Sequence, residues 1–294
     1  MTPTRGSSQA GRGPLSAEAG SCSAREAYDS LAPFYDEFTA GYPHEQWLEE
    51  LEGLALQHGL PGRTVLDVAC GTGKSALPLA TRGYEVSACD ISPAMVQQAR
   101  RRLGGRARRV FAADMRRLPA CGRFDLITCL DDALNYLLEP ADLHAALASM
   151  RRALRPGGLL VFDVNSLSTY RATFAMRFER EGRGRSYRWR GEQSGAARPG
   201  ALYEAVIEVL PDAGTAVSSR HRQRHWPRDW LAAALGRAGL ECVAVLGQRT
   251  GGHVGFEADE ELHPKLVFLA RNPRTNRRRE EGPHGRREPV AIAA

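Results

Sequence analysis

Val65–Ala80, "VLDVACGTGKSALPLA", reads as a buried strand, a glycine turn and the start of a helix. Gly71, Gly73 and Ala76 satisfy the loose fingerprint G-x-G-x-x-G/A of dinucleotide-binding turns, and Asp90 follows about where a ribose-binding acid belongs. Asp67 stands in the same strand, four residues before Gly71. A carboxylate aimed at that turn repels a pyrophosphate and attracts an ammonium group. The expected ligand therefore carries a cationic amine and no phosphate at this point.

Outward from this turn, strands and helices alternate. Strands are expected at about 64–69, 85–90, 109–113, 124–130 and 159–164, with helices near 75–82, 93–103, 139–154 and 166–176. "FDLITCL" and "LLVFDV" are continuous apolar runs, as in parallel strands covered by helices on both faces. The fold class is α/β: a doubly wound, Rossmann-like, mostly parallel sheet. Upstream, residues 25–60 read as helical with breaks at Pro33 and Tyr42–Pro43. Downstream, "RSYRWRGEQ", "ALYEAVIEVL" and "AVSSRHRQRHW" read as three strands joined by short turns, a small antiparallel β insertion at about 183–227. A helix at about 228–239 then leads back to the strands "ECVAVLG" and "KLVFLAR".

Composition narrows the function. Of the net charge of +6, the first 23 residues carry two arginines against one glutamate, and residues 271–294 carry seven arginines against three glutamates. The part between is nearly neutral, which argues against a nucleic-acid surface. Residues 1–23 and 272–294 are expected to be disordered tails around a domain at 24–271, the second of them basic. No apolar run approaches the roughly 20 residues of a membrane span, and no secretory h-region is present. The six cysteines show no C-x-x-C pair, so a reducing cytoplasm and no structural metal are expected. Two lysines occur against 38 arginines, a bias that carries no functional reading by itself.

Four features decide the ligand. Gly71 and Gly73 let it approach the backbone. Asp67 faces its ammonium, Asp90 accepts from ribose hydroxyls, and Asp114–Met115 suit an adenine amino group and ring. Together they specify a nucleoside bearing a cationic amino acid. At this point the chain resembles the class I S-adenosylmethionine-dependent methyltransferases, over about residues 26–175 with return strands at 241–271. "VLDVACGTG", "VSACDIS", "FAADMRRLP", "FDLITCLDDALNYL" and "LRPGGLLVFDVN" resemble the family's successive motifs, in order and at its spacing. Cys70 departs from the Gly or Ala that the family often has there, and a small thiol fits.

The resemblance implies S-adenosyl-L-methionine as cofactor and S-adenosyl-L-homocysteine as product. It implies a lid with Tyr28 and Tyr35, and a cofactor edge of Asp67, Ala69, Gly71, Gly73, Asp90, Ile91, Asp114, Met115, Leu130 and Asp131. The inserted sheet is then a second lid, over the methyl acceptor. Candidate catalytic groups are Asp132, Tyr136 and His225. Alternation in "SSRHRQRHWP" puts His221, Gln223 and His225 on one face, and His225 is expected to approach the transferred methyl with Tyr136. Similarity is greatest to small-molecule N- and O-methyltransferases, including sugar N-methyltransferases of bacterial secondary metabolism. The expected partner is a small-molecule acceptor, with no membrane and room for a homodimer. Two alternatives stay open: a nicotinamide-dependent oxidoreductase, which Asp67 opposes, and a tRNA or rRNA methyltransferase, which the neutral core opposes.

Overall fold

The computed structural model describes residues 23–274, apart from Pro43, Ser194 and Thr250. Both expected tails lie outside the described residues, save for a few positions at their inner ends. Three helices open the chain: α1 (Ala24–Leu31), α2 (Tyr35–Phe38) and α3 (His44–Gln57). The alternating part follows as β1 (Thr64–Val68), α4 (Ala76–Thr81), β2 (Glu85–Asp90), α5 (Pro93–Leu103), β3 (Arg109–Ala112), β4 (Phe124–Cys129), α6 (Pro140–Ala153) and β5 (Leu154–Asn165). After α7 (Leu167–Ala172) come β6 (Arg177–Gly182), β7 (Arg185–Gly191), β8 (Leu202–Pro211) and β9 (Val217–Arg224). The chain closes with α8 (Arg228–Arg237), β10 (Glu241–Gln248), β11 (Val254–Glu257) and β12 (Lys265–Arg271).

The main sheet runs in the order β11-β10-β12-β5-β4-β1-β2-β3. β1 pairs in parallel with both β2 and β4, so the order reverses there. Ligands bind outside the carboxyl ends of strands at such a switch point. β12 is antiparallel to β5 and to β10. Alternate residues of each strand feed two cores: Leu66, Ile127, Leu160 and Phe268 face α6 and α8, whereas Val65, Leu126, Leu159 and Val267 face α3 and α4. Helix cover on both faces is the reason these strands read as unbroken apolar runs.

The small sheet differs from its sequence reading. It has four strands, in the antiparallel order β6-β7-β8-β9, and begins at Arg177. β6, "RFEREG", is mostly exposed and is held at the edge by backbone pairing to β7, so it has no apolar alternation to betray it. β11 is likewise a short edge strand that the sequence reading missed. The inner face of the small sheet buries Tyr187, Tyr203, Ile207, His221 and Gln223 and covers the carboxyl edge of the main sheet.

Candidate active site

The site is assembled from strand ends. Past β1 the chain turns through Ala69 (φ 56°), Gly71 (φ 52°) and Gly73 (φ 84°). A Cβ on Gly73 would stand 3.4 Å from Ala99, so glycine lets the turn lie close on α5. Gly71 N–H donates to Asp90 Oδ2 at 2.8 Å, and Ser92 N–H donates to Asp90 Oδ1 at 2.9 Å. The carboxylate keeps an acceptor position beyond these bonds and one from Ile91 N–H. Burial raises the Asp90 pKa despite all three bonds. Ser92, not Asp90, caps α5, its hydroxyl accepting from Met95 N–H at 3.0 Å.

Asp67 is only 1 % exposed. Its Oδ1 accepts from Thr128 Oγ at 2.7 Å, whereas its buried Oδ2 has no hydrogen-bond partner among the described residues. Burial pushes this carboxyl up to about 7. A buried acceptor left without a donor is costly, and a ligand cation would complete it.

Asp114 lies two residues past β3 and lines the first cavity, but its carboxylate already accepts from the Arg116 guanidinium, at 2.6 Å from Nη2. Burial raises its pKa, and the bonds from Arg116 more than reverse this. Beyond β4, Asp131 (φ 59°) and Asp132 (φ 53°) are consecutive non-glycine residues in the left-handed region, a strain found where surrounding structure imposes it. Neither carboxylate caps the short helical turn Ala133–Tyr136. Asp132 instead accepts from Lys265 Nζ at 2.8 Å and from Gln223 Nε2 at 2.6 Å. Lys265 also donates to Asp163 Oδ2 at 2.8 Å and lies 3.8 Å from Asp131. Burial would lower the Lys265 pKa; Asp132, Asp163 and Asp131 together raise it.

Tyr28 reaches the edge from α1, whose start is fixed by a Ser23–Glu26 capping box. Asp29 on that helix accepts from Ser92 Oγ at 2.6 Å and Ala94 N–H at 3.1 Å, tying α1 to the head of α5.

These groups enclose two adjoining cavities. The first, about 450 Å³, is lined by Asp67, Ala69, Gly71, Asp90 and Ile91, and by Asp114, Met115 and Leu130. Gly73 shapes the turn without lining it. The second, about 460 Å³, lies under the small sheet and is lined by Phe38, Tyr42, Asp132, Trp189, His221 and Lys265, among others. Tyr28, Tyr35, His44, Lys74, Asp131 and Tyr136 line both and form the wall between them.

One expected residue is displaced. His225 shares a strand face with His221 and Gln223 but lines neither cavity. It is 0 % exposed, its Nδ1 accepts from Gly200 N–H at 3.2 Å, and its ring packs edge-on against Tyr170. His225 follows directly on β9, and four residues of extended chain carry it roughly 13 Å past His221. His221 takes the place expected of it, with Nδ1 3.0 Å from Tyr136 Oη. Sequence reading gave no role to Lys74, Asp163 or Lys265, and placed Gln223 only on the histidine face. A signal for two of them existed: both lysines of this arginine-dominated chain line the second cavity. A compact ammonium fits where a guanidinium fork does not.

A family model described as a methyltransferase domain matches residues 65–158. A protein named only as a methyltransferase, from Geobacillus sp. (strain WCH70), is 34% identical over 257 residues, covering 83% of this chain and 99% of the relative. Among solved structures, an S-adenosylmethionine-dependent methyltransferase from Clostridium acetobutylicum ATCC 824 superposes with a TM-score of 0.71 at 20% identity, over 84% of this chain and 99% of that one. An S-adenosylmethionine-bound amino pentose methyltransferase from Micromonospora echinaspora gives a TM-score of 0.63 at 25% identity, over 81% and 95%. Fold, glycine turn, orphaned Asp67 oxygen and these likenesses converge: the chain belongs to the class I S-adenosylmethionine-dependent methyltransferases.

Proposed function

We propose that the first cavity holds S-adenosylmethionine and that the second admits a small-molecule amine whose nitrogen receives the methyl group. The observation that carries this reading is the shared wall: two cavities of similar size meet at Tyr28, Tyr35, Asp131 and Tyr136. In the first, the unpartnered Asp67 Oδ2 suits the amino-acid ammonium and Asp90 suits the ribose hydroxyls. Gly71, Gly73 and Ala69 admit the ligand to the backbone, with Ile91, Met115 and Leu130 flanking its base. Asp114, each of whose oxygens takes two contacts from Arg116, would share that pairing to accept an adenine amino group.

The walls of the second cavity favour an amine. Its charged lining is Asp131 and Asp132 with Lys74, Arg180 and Lys265, and Lys265 is held by Asp131, Asp132 and Asp163, so the preference rests on the aromatic faces and not on net charge. The aromatic walls, with Tyr35, Phe38, Tyr42 and Trp189, suit a ring-bearing cationic ligand. The amino pentose enzyme among the structural relatives supports the same acceptor chemistry.

When bound, S-adenosylmethionine supplies an electrophilic methyl on a sulfonium, and the C–S electron pair leaves with sulfur as the C–N bond forms. The residues of this chain align nucleophile and methyl and keep water out, the main contributions such a displacement needs. The nitrogen's proton has Asp131 beside it, whose pKa burial raises, so that the carboxylate can take a proton. Asp132 anchors Lys265 and serves as structural support.

Calorimetry with S-adenosylhomocysteine tests the first cavity. Asp90→Ala and Gly71→Val should each weaken binding at least roughly tenfold, through lost charge-assisted bonds and a strained backbone respectively. A panel of ring-bearing amines, alcohols and carboxylates, read by S-adenosylhomocysteine release, tests the second. Turnover confined to alcohols or carboxylates would refute the amine acceptor.

A further inference from the structure

Four side chains in and behind the dividing wall form a continuous chain. Tyr28 Oη is 2.9 Å from Tyr136 Oη, Tyr136 Oη is 3.0 Å from His221 Nδ1, and His221 Nε2 is 3.0 Å from Ser219 Oγ. Each hydroxyl has one proton and a neutral imidazole has one N–H, so the chain can run in only two directions. In one, Ser219 donates to the Ile207 carbonyl at 3.4 Å, His221 Nε2–H donates to Ser219, Tyr136 donates to Nδ1 and Tyr28 donates to Tyr136. Every proton then ends on a protein acceptor. In the other, the last proton is left on Tyr28 pointing into a cavity. Gln223 stands beside the chain: its amide oxygen takes Tyr170 Oη and Asn165 Nδ2, and its nitrogen donates to Asp132 and, as a second donor, toward Tyr136 Oη.

We propose that His221 is a positioning residue, held as the Nε2–H tautomer, that turns the protons of Tyr136 and Tyr28 away from the cavities. Tyr28 Oη then offers lone pairs, and neither phenol a proton, at the junction where the methyl is transferred. Such a wall accepts a hydrogen bond from an N–H of the methyl acceptor, leaves the nitrogen lone pair free, and gives nothing to a group without a proton. This rests on the second cavity being the acceptor site. Burial of His221 at 2 % exposure fits a neutral ring, lowering its pKa to about 4 with Asp132 partly opposing.

Long-range nitrogen–proton NMR of the histidine-labelled full chain, loaded with S-adenosylhomocysteine at neutral pH, reads the tautomer directly. His221→Asn identifies the resonances. The expected result is a protonated Nε2 and a bare Nδ1, with Tyr136→Phe moving Nδ1 toward the position of a free lone pair while Nε2 stays. A protonated Nδ1, or an imidazolium, overturns the proposal. With benzylamine as probe, His221→Phe should lower kcat about tenfold or more with KM within about threefold, the loss of one oriented hydrogen bond. His221→Asn, whose amide oxygen can replace Nδ1, should recover most of it. Unchanged kcat in His221→Phe also overturns the proposal. Wild-type protein that binds S-adenosylhomocysteine but methylates none of the amines refutes the acceptor reading instead, and the tautomer result is separate from it.

Discussion

Asp67→Asn should make the ligand-free protein more stable at alkaline pH while crippling cofactor binding. Burial raises the Asp67 pKa from its ordinary 3.8 to about 7. A carboxyl raised on folding favours the fold below its unfolded value, and that advantage is lost as pH rises through the folded value. Ionised Asp67 therefore costs at most roughly 4 kcal/mol above pH 7, but only about 1.6 kcal/mol at pH 5. Asparagine keeps the acceptor for Thr128 and removes the charge, and it leaves a buried amide N–H without a partner, at roughly 1–3 kcal/mol. The net expectation is a gain of about 1–3 kcal/mol at pH 8.5 and about none at pH 5, measured by urea unfolding without ligand. Calorimetry in the same buffers should show S-adenosylhomocysteine bound roughly 10- to 150-fold more weakly, the worth of one charge-assisted hydrogen bond. A variant that is destabilised at pH 8.5 and binds normally would refute the role given to the orphaned oxygen.

Lys265→Met leaves Asp131, Asp132 and Asp163 facing one another without their cation, and should cost about 3–5 kcal/mol. Removing the ammonium raises the Asp131 and Asp163 pKa values further in the folded state, so the deficit should shrink at acid pH; urea unfolding that shows a pH-independent deficit would count against the cluster. Gly191→Ala places a Cβ in collision with the Phe174 carbonyl, where the small sheet joins the segment after α7. Unfolding should report a loss of about 2 kcal/mol or more, with S-adenosylhomocysteine affinity within about threefold, since Gly191 lines neither cavity. A change in affinity larger than the change in stability would show that the small sheet shapes the cofactor cavity.

What the sequence determined by itself was the shared strand edge on which the proposed cofactor residues stand. Asp67, Gly71, Asp90, Met115 and Asp131 lie at or just past the carboxyl ends of β1 to β4, and each strand is marked by its own apolar run. Once those strands are parallel and adjacent, their ends must share one edge, so local patterns suffice to gather residues dozens of positions apart. The rest depended on how separate pieces dock. Lys265 meets Asp132 across 133 positions because β12 lies antiparallel beside β5, with Lys265 opposite Asn165. No short-range pattern encodes that pairing. His221 rather than His225 reaches Tyr136 because strand alternation reports which face a residue occupies, not how far along the strand another element crosses it. That distance is set by the register of β9 on β8, with His221 opposite Ala205, and by where α1 and the turn Ala133–Tyr136 pack beneath the small sheet. Periodicity is a property of the chain; register and docking are properties of surfaces that exist only after the chain has folded.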